Sequence, residues 1–218
     1  MEAPFWIERW QKGDIGFHRD AAHGALGCHW GKLGVPQSSV VFVPLCGKSL
    51  DMAWFAANGY RVLGVELSPL AIDAFFDSQG LKPESRSSGP FTIRTAGPYE
   101  IWCGDLFALP REALSGISAI YDRASLVALP PRMQESYADW LSTKTPDVPI
   151  LIVSLAYDEA EMNGPPFSIP QPRVRQLLGQ SFELDVLSDT DVMEANAGMR
   201  KRGLTALQET VYLARRRK

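Results

Sequence analysis

Glu66 is the residue whose placement in this sequence most invites chemistry. It follows Gly47 by 19 positions, close to the spacing of roughly 20 at which an acid ending a second parallel strand reaches the hydroxyls of a ribose. The residues between have the pattern that such a pairing needs. Val40-Val41-Phe42-Val43 is an apolar, β-rich run, and Pro44-Leu45-Cys46-Gly47-Lys48-Ser49 breaks it. Residues 50–57 read as a helix stopped by Asn58-Gly59, and 61–65 read as a second strand that ends on the acid. Open α/β sheets hold ligands in the crevice at the carboxyl ends of such strands, so a nucleoside is the leading expectation. The same turn glycine and strand-end acid also occur for structural reasons alone.

What the turn lacks narrows the nucleoside. No G-x-G-x-x-G string occurs in the chain, which disfavours a dinucleotide and hence a dehydrogenase. Gly47-Lys48-Ser49 resembles the end of a P-loop, but that motif requires glycine at position 42, where Phe42 stands. A bulky strand residue cannot open an anion nest, so ATP and GTP are disfavoured. One glycine, one ribose acid and no phosphate cradle suit a nucleoside without phosphates, of which S-adenosylmethionine is the common one.

Composition sets outer bounds. A chain of 218 residues fits one domain with a sizeable core, and 45% hydrophobic with 22% charged residues is ordinary for a globular protein. A net charge of −3 offers no basic field for a phosphate backbone, so no nucleic-acid partner is expected. The basic run Arg215-Arg216-Arg217-Lys218 reads as a solvated, frayed tail. No signal peptide and no bilayer-length apolar run are visible, so no membrane partner is expected. Cys28, Cys46 and Cys103 are odd in number and widely spaced, which predicts reduced thiols in the cytoplasm. His18, His23 and His29 lie five and six positions apart, off any common helical face, and no metal is expected.

These groups must be positioned by alternating βαβ units, an α/β doubly wound and mostly parallel sheet. Ser68 and Pro69 open a helix as N-cap and first helical residue, running over 70–77. Residues 82–98 read mainly as loop, with a short strand at 91–95. Further strands are expected at 100–103, 117–121 and 150–155, and helices at 131–140 and 173–178. A closing pair at 182–187 and 207–214 suits an antiparallel edge. The whole is expected to form one domain, with an N-terminal lid over about 1–34 and a sheet core over about 38–218. In the lid, Trp6 and Trp10 share a helical face, and Gly13 and Gly16 give it a hinge.

The chain resembles the thiopurine S-methyltransferases, in particular their bacterial members, over nearly its whole length. The resemblance is carried by Phe5-Trp6-x-x-Arg9-Trp10 with Gly16-Phe17-His18, by Val43 through Met52, and by Gly64-Val65-Glu66. It continues in Gly104-Asp105-Leu106-Phe107, in Tyr121 through Leu129, and in Gly164-Pro165-Pro166-Phe167. It implies a class I methyltransferase, Rossmann-like, with a seven-stranded sheet, S-adenosylmethionine as cofactor, S-adenosylhomocysteine as product, and a monomer. It also implies that Trp10 covers the cofactor, that the Leu45 backbone and Gly47 contact it at the turn, and that Glu66 holds the ribose. Asp105 and Leu106 are implied beside the adenine, and Arg123 at the methionine end near the acceptor. Phe17 on one side and Pro166 with Phe167 on the other are implied as walls of the substrate pocket. The segment 191–203 keeps Arg202-Gly203 but otherwise departs from the family pattern. Family members methylate aromatic and heterocyclic thiols, and bacterial relatives are linked with selenium and tellurium oxyanion detoxification.

The implied reaction needs few polar groups. Attack on a sulfonium methyl is an in-line displacement, and an acceptor that is already a thiolate or selenolate needs no strong base. Alignment and exclusion of water then carry much of the rate. Arg123 is the candidate to hold the acceptor anion or, through water, to help remove its proton, with His18 or Asp14 assisting. The alternatives are a methyltransferase acting on nitrogen, oxygen or halide, and a nucleoside-binding protein without turnover.

Overall fold

A computed structural model describes residues 3–16, 18–123 and 125–218. The chain forms two compact units, Met1–Ile120 and Tyr121–Lys218, with one strand running across their boundary.

The first unit is built on strands β1 (Val40–Val43), β2 (Arg61–Glu66), β3 (Glu84–Ser88), β4 (Phe91–Ala96), β5 (Tyr99–Cys103) and the start of β6 (Ile117–Arg123). Their order is β3-β4-β5-β2-β1-β6. β5, β2, β1 and β6 are mutually parallel, and β3 and β4 add an antiparallel edge. β1 and β2 are apolar on both faces and almost wholly buried, as strands covered by helices on both sides must be. Helix α3 (Leu50–Ala57) connects β1 to β2, and α4 (Pro69–Ser78) leads away from β2. Ser49 caps α3 by accepting from the Asp51 amide at 3.2 Å, and Ser68 caps α4 by accepting from the Ala71 amide at 3.4 Å. Ahead of β1 lie α1 (Ala3–Lys12) and α2 (Gly24–His29).

The second unit continues from the end of β6 into β7 (Ile150–Ala156), β9 (Gln208–Arg216) and β8 (Phe182–Asp191), in the order β6-β7-β9-β8. β9 pairs antiparallel with both β7 and β8, as the closing pair predicts. Its helices are α5 (Ser125–Ala128), α6 (Pro131–Lys144), α7 (Gln171–Leu178) and α8 (Ala197–Lys201).

Nine strands are present among the described residues, where seven were expected. Beyond the seven lie β4, the short strand expected at 91–95, and β3, which corrects the reading of the rest of 82–98 as loop. Gly89, at φ 55, turns the hairpin. β4 begins in alternation, burying Phe91 and Ile93 while Thr92 between them faces water. The basic terminus is corrected as well. Arg216 lies inside β9, and its guanidinium donates to the carbonyls of Ser142 at 2.6 Å and Thr145 at 3.1 Å, closing the end of α6. A cation there satisfies carbonyls that the helix leaves without partners. Among the described residues no helix is long and apolar enough to cross a membrane.

Candidate functional site

In the first unit the site grows from the turn after β1. Its backbone is bound to the neighbouring strand by the Cys46 amide, which donates to the Val65 carbonyl at 2.9 Å. Leu45 and Gly47 both adopt left-handed conformations, at φ 47 and φ 52. That costs a leucine roughly 1–2 kcal/mol, strain of the kind that accumulates where backbone is held for a ligand. Gly47 also has a neighbour that explains its lack of a side chain: a Cβ there would lie 3.3 Å from Cζ2 of Trp10. The α1 indole therefore rests against the turn. Beneath it, Gly64 makes room for the Cys46 thiol, which would lie 2.8 Å from a Cβ at that position.

Glu66 closes the turn from below. Its Oε2 accepts from the Gly47 amide at 2.9 Å and its Oε1 from the Ser68 amide at 2.8 Å, while the residue is 6% exposed. Burial pushes its carboxyl above the usual range, and the amides of Ser68, Gly47 and Leu67 oppose that shift. The carboxylate thus ties the end of β2 to the turn and to the start of α4, and it retains acceptor capacity beyond those amides. Glycine and acid, 19 positions apart, are in direct contact. Cys46 and Cys103 are both pushed up, first by burial and then by the Glu66 charge, so neither is poised as a thiolate.

The other first-unit candidates fall around this turn and in the N-terminal segment. The amide of Gly104 donates to the Glu66 carbonyl at 2.9 Å, which places Asp105 just past the end of β5. Asp105 accepts from the Phe107 amide at 3.0 Å, capping a short 3-10 turn, and the Leu106 side chain is 2% exposed. Asp14 is exposed and paired with Arg9 at 2.9 Å, and Arg9 Nε also donates to the Asp14 carbonyl at 3.1 Å. These two bonds from Arg9 fold the chain back after α1. The His18 amide donates to the Ile15 carbonyl at 2.8 Å, and its side chain is half-buried. Phe17 lies outside the described residues. His23 caps α2, accepting from the Ala25 amide at 3.2 Å, while its own amide donates to Asp51 Oδ1 at 2.7 Å. Among the described residues no group of three His, Cys, Asp or Glu side chains could hold a metal ion.

In the second unit Arg123 ends β6, half-buried. Beside it, Asp122 is fully buried; its Oδ1 accepts from the Ser125 amide at 3.1 Å and its Oδ2 from the Tyr137 hydroxyl at 2.8 Å. Burial raises its carboxyl from the ordinary 3.8 to about 6. Sequence reasoning found no role for Asp122. The available signal was an acid at the end of an otherwise apolar strand. Pro166 and Phe167 are half-buried. The Phe167 amide donates to the Val127 carbonyl at 2.6 Å, the Tyr157 hydroxyl donates to the Pro166 carbonyl, and the Phe167 ring folds back on Gly164.

Comparison with known proteins places this chain. The family model described as "Thiopurine S-methyltransferase (TPMT)" matches residues 1–217. The thiopurine S-methyltransferase of Pseudomonas fluorescens is 42% identical over 99% of both chains. That of Xanthomonas euvesicatoria is 45% identical over 97% of this chain and 98% of its own length. Among solved structures, the 1,6-didemethyltoxoflavin-N1-methyltransferase of Burkholderia thailandensis, with bound 1,6-didemethyltoxoflavin and S-adenosylhomocysteine, superposes with a TM-score of 0.63. It is 18% identical and covers 99% of this chain and 87% of its own. That likeness shows the fold, a class I methyltransferase α/β sheet, mostly parallel with antiparallel edge strands.

Proposed function

The chain belongs to the thiopurine S-methyltransferase family and is an enzyme of that kind, and on that premise we propose how its residues divide the work. S-adenosylmethionine supplies a methyl group on a positively charged sulfur, which any acceptor with an available electron pair can take by in-line displacement. The Glu66 carboxylate holds the ribose hydroxyls with the acceptor capacity left to it. The Leu45 and Gly47 backbone lies against the bound nucleoside, Trp10 covers it, and Asp105 and Leu106 flank the base. The observation that carries this reading is the contact between Glu66 and the Gly47 amide, a strand-end acid locked to a left-handed turn. The left-handed turn at Leu45 and Gly47, with the Trp10 indole against it, supports this reading.

Arg123, Pro166 and Phe167 are assigned to the acceptor, with Phe17 as the family resemblance implies. Arg123 holds the acceptor sulfur as its anion. His18 and Asp14 assist proton removal at most, and the exposed Arg9–Asp14 pair gives Asp14 a structural task already. The acceptors are aromatic or heterocyclic thiols, with selenium and tellurium species as a second class connected to detoxification. The protein acts as a cytoplasmic monomer, without metal, nucleic-acid or membrane partner. The compartment is supported by Cys28, Cys46 and Cys103, which are free thiols.

Methyl transfer to 6-mercaptopurine, run beside panels of amines and phenols, tests the acceptor class. Turnover confined to the thiol supports the reading. Turnover on amines or phenols alone would replace it with another small-molecule methyltransferase, and cofactor binding without turnover on any panel would leave a sensor.

A further inference from the structure

Residues 165–167 are held by backbone groups at three consecutive positions. Arg202 Nη2 donates to the Pro165 carbonyl at 3.0 Å, Tyr157 to the Pro166 carbonyl, and the Phe167 amide to the Val127 carbonyl at 2.6 Å. Pro165 and Pro166 have no N–H of their own, so this stretch has little means of bonding to itself and depends on donors from elsewhere. Two of the three holds come from the end of β7 and from α5. Tyr157 directly follows β7 and is fixed to Ser168 in both directions, its amide donating to Oγ at 2.9 Å and Oγ donating to its carbonyl at 2.8 Å. Val127 belongs to α5.

The third hold, Arg202, comes from the segment between β8 and β9. That segment is bound a second time to the same loop. The Glu161 carboxylate accepts from the Thr205 amide at 3.0 Å and from the Thr205 hydroxyl at 2.6 Å. Between the two polar ties, Met162, Met193, Leu204 and Leu207 form a small buried cluster. The loop carrying Pro166 and Phe167 is therefore pinned to the 192–207 segment at both ends of one apolar contact.

We infer that Arg202 is a positioning residue for the acceptor wall, with the Glu161–Thr205 tie as its companion, so that the 192–207 segment sets acceptor preference by placing Pro166 and Phe167. This rests on the assignment of those two residues to the acceptor. Both ties are exposed, which makes them small contributors to global stability. Their consequence is the position of the wall. A misplaced wall weakens acceptor binding, while the residues assigned to the cofactor keep their own hydrogen bonds.

The test uses the full chain carrying Arg202→Leu, which removes the donor, Arg202→Lys, which restores one, and Thr205→Val, which cuts the second tie. Hydrogen exchange of the peptide spanning 157–169 is measured without ligand, together with acceptor KM, cofactor Kd and Tm. In Arg202→Leu, exchange at Phe167 and Ser168 should quicken and the KM for 6-mercaptopurine should rise roughly 3- to 10-fold, a charged hydrogen bond discounted for exposure. Cofactor Kd and Tm should hold, Arg202→Lys should recover most of the KM, and Thr205→Val should move it in the same direction. Unchanged exchange overturns the inference, as does an unchanged KM despite faster exchange, or a parallel loss of Tm and cofactor affinity. Absence of thiol methylation by the unsubstituted chain would instead remove the acceptor assignment, and the inference with it.

Discussion

Replacing Glu66 by glutamine probes a carboxylate that ties the turn together and to which the proposed function assigns the ribose. The carboxylate accepts from Gly47 at 2.9 Å and from Ser68 at 2.8 Å, one amide on each oxygen. Glutamine has one acceptor oxygen and places an NH2 where the other stood, so one buried amide faces a donor. A hydrogen bond to a charged group contributes about 1.5–3 kcal/mol. Set against this is the burial that raises the Glu66 carboxyl, a cost of holding the charge that glutamine removes. In the ligand-free protein the two effects oppose each other, and the net loss should be about 1–2 kcal/mol, or roughly 2–8 °C in Tm for a chain of this size. With the cofactor bound as proposed, the ribose hydroxyls would also lose an ionised acceptor. The ligand affinity should therefore fall by the full 1.5–3 kcal/mol, about 10- to 150-fold in Kd. Calorimetric titration of S-adenosylhomocysteine into both proteins at neutral pH, with a denaturant titration of each, separates the two numbers. A Kd within about threefold of the unsubstituted value would refute the ribose assignment. An unchanged ligand-free stability would refute the claim that the carboxylate holds the turn.

Three further outcomes follow from other contacts. Asp122 binds its proton more tightly folded than unfolded, from 3.8 to about 6. Its contribution to stability is therefore full below about pH 4 and lost as pH rises through about 6, an effect of about 3 kcal/mol. Asp122→Asn should flatten the fall in stability across that window, as read from denaturant midpoints at several pH values. Arg216→Ala leaves the carbonyls of Ser142 and Thr145 without their cation, and Tm should drop by roughly 3–10 °C in a thermal melt. Gly47→Ala imposes a side chain on a φ of 52 and a Cβ 3.3 Å from Trp10. It should cost about 1–2 kcal/mol of stability and displace the indole, weakening S-adenosylhomocysteine binding measured by calorimetry.

The parts of the fold that could be read from the chain are those written in local pattern. The strand at 40–43, the helix over 50–57 and the strand ending at Glu66 occur at the expected residues, because burial on both faces leaves no polar alternation to mislead. Ser68 with Pro69 marks its helix start for the same local reason. β3 escaped notice because Glu84–Ser88 is polar and mostly exposed, held by pairing with β4 rather than by its own composition. In the candidate site, the acid and glycine were legible from spacing, whereas the Asp122–Tyr137 bond joins residues 15 apart. The Arg202–Pro165 and Arg216–Ser142 bonds join residues 37 and 74 apart. Contacts of that reach are made by the folded topology, and no local periodicity announces them. The terminal arginines show the point most simply: as sequence they are a basic run, and in the structure one of them closes α6.

The proposed function requires a nucleoside held at the β1 turn by Glu66 and the left-handed backbone of Leu45 and Gly47. Calorimetric titration of the unsubstituted protein with S-adenosylhomocysteine, ATP and NAD in parallel tests this directly. Saturable heat with the first at one site per chain, and none with the other two, is the predicted result. No heat with S-adenosylhomocysteine at any accessible concentration, or equal binding of ATP or NAD, would contradict it.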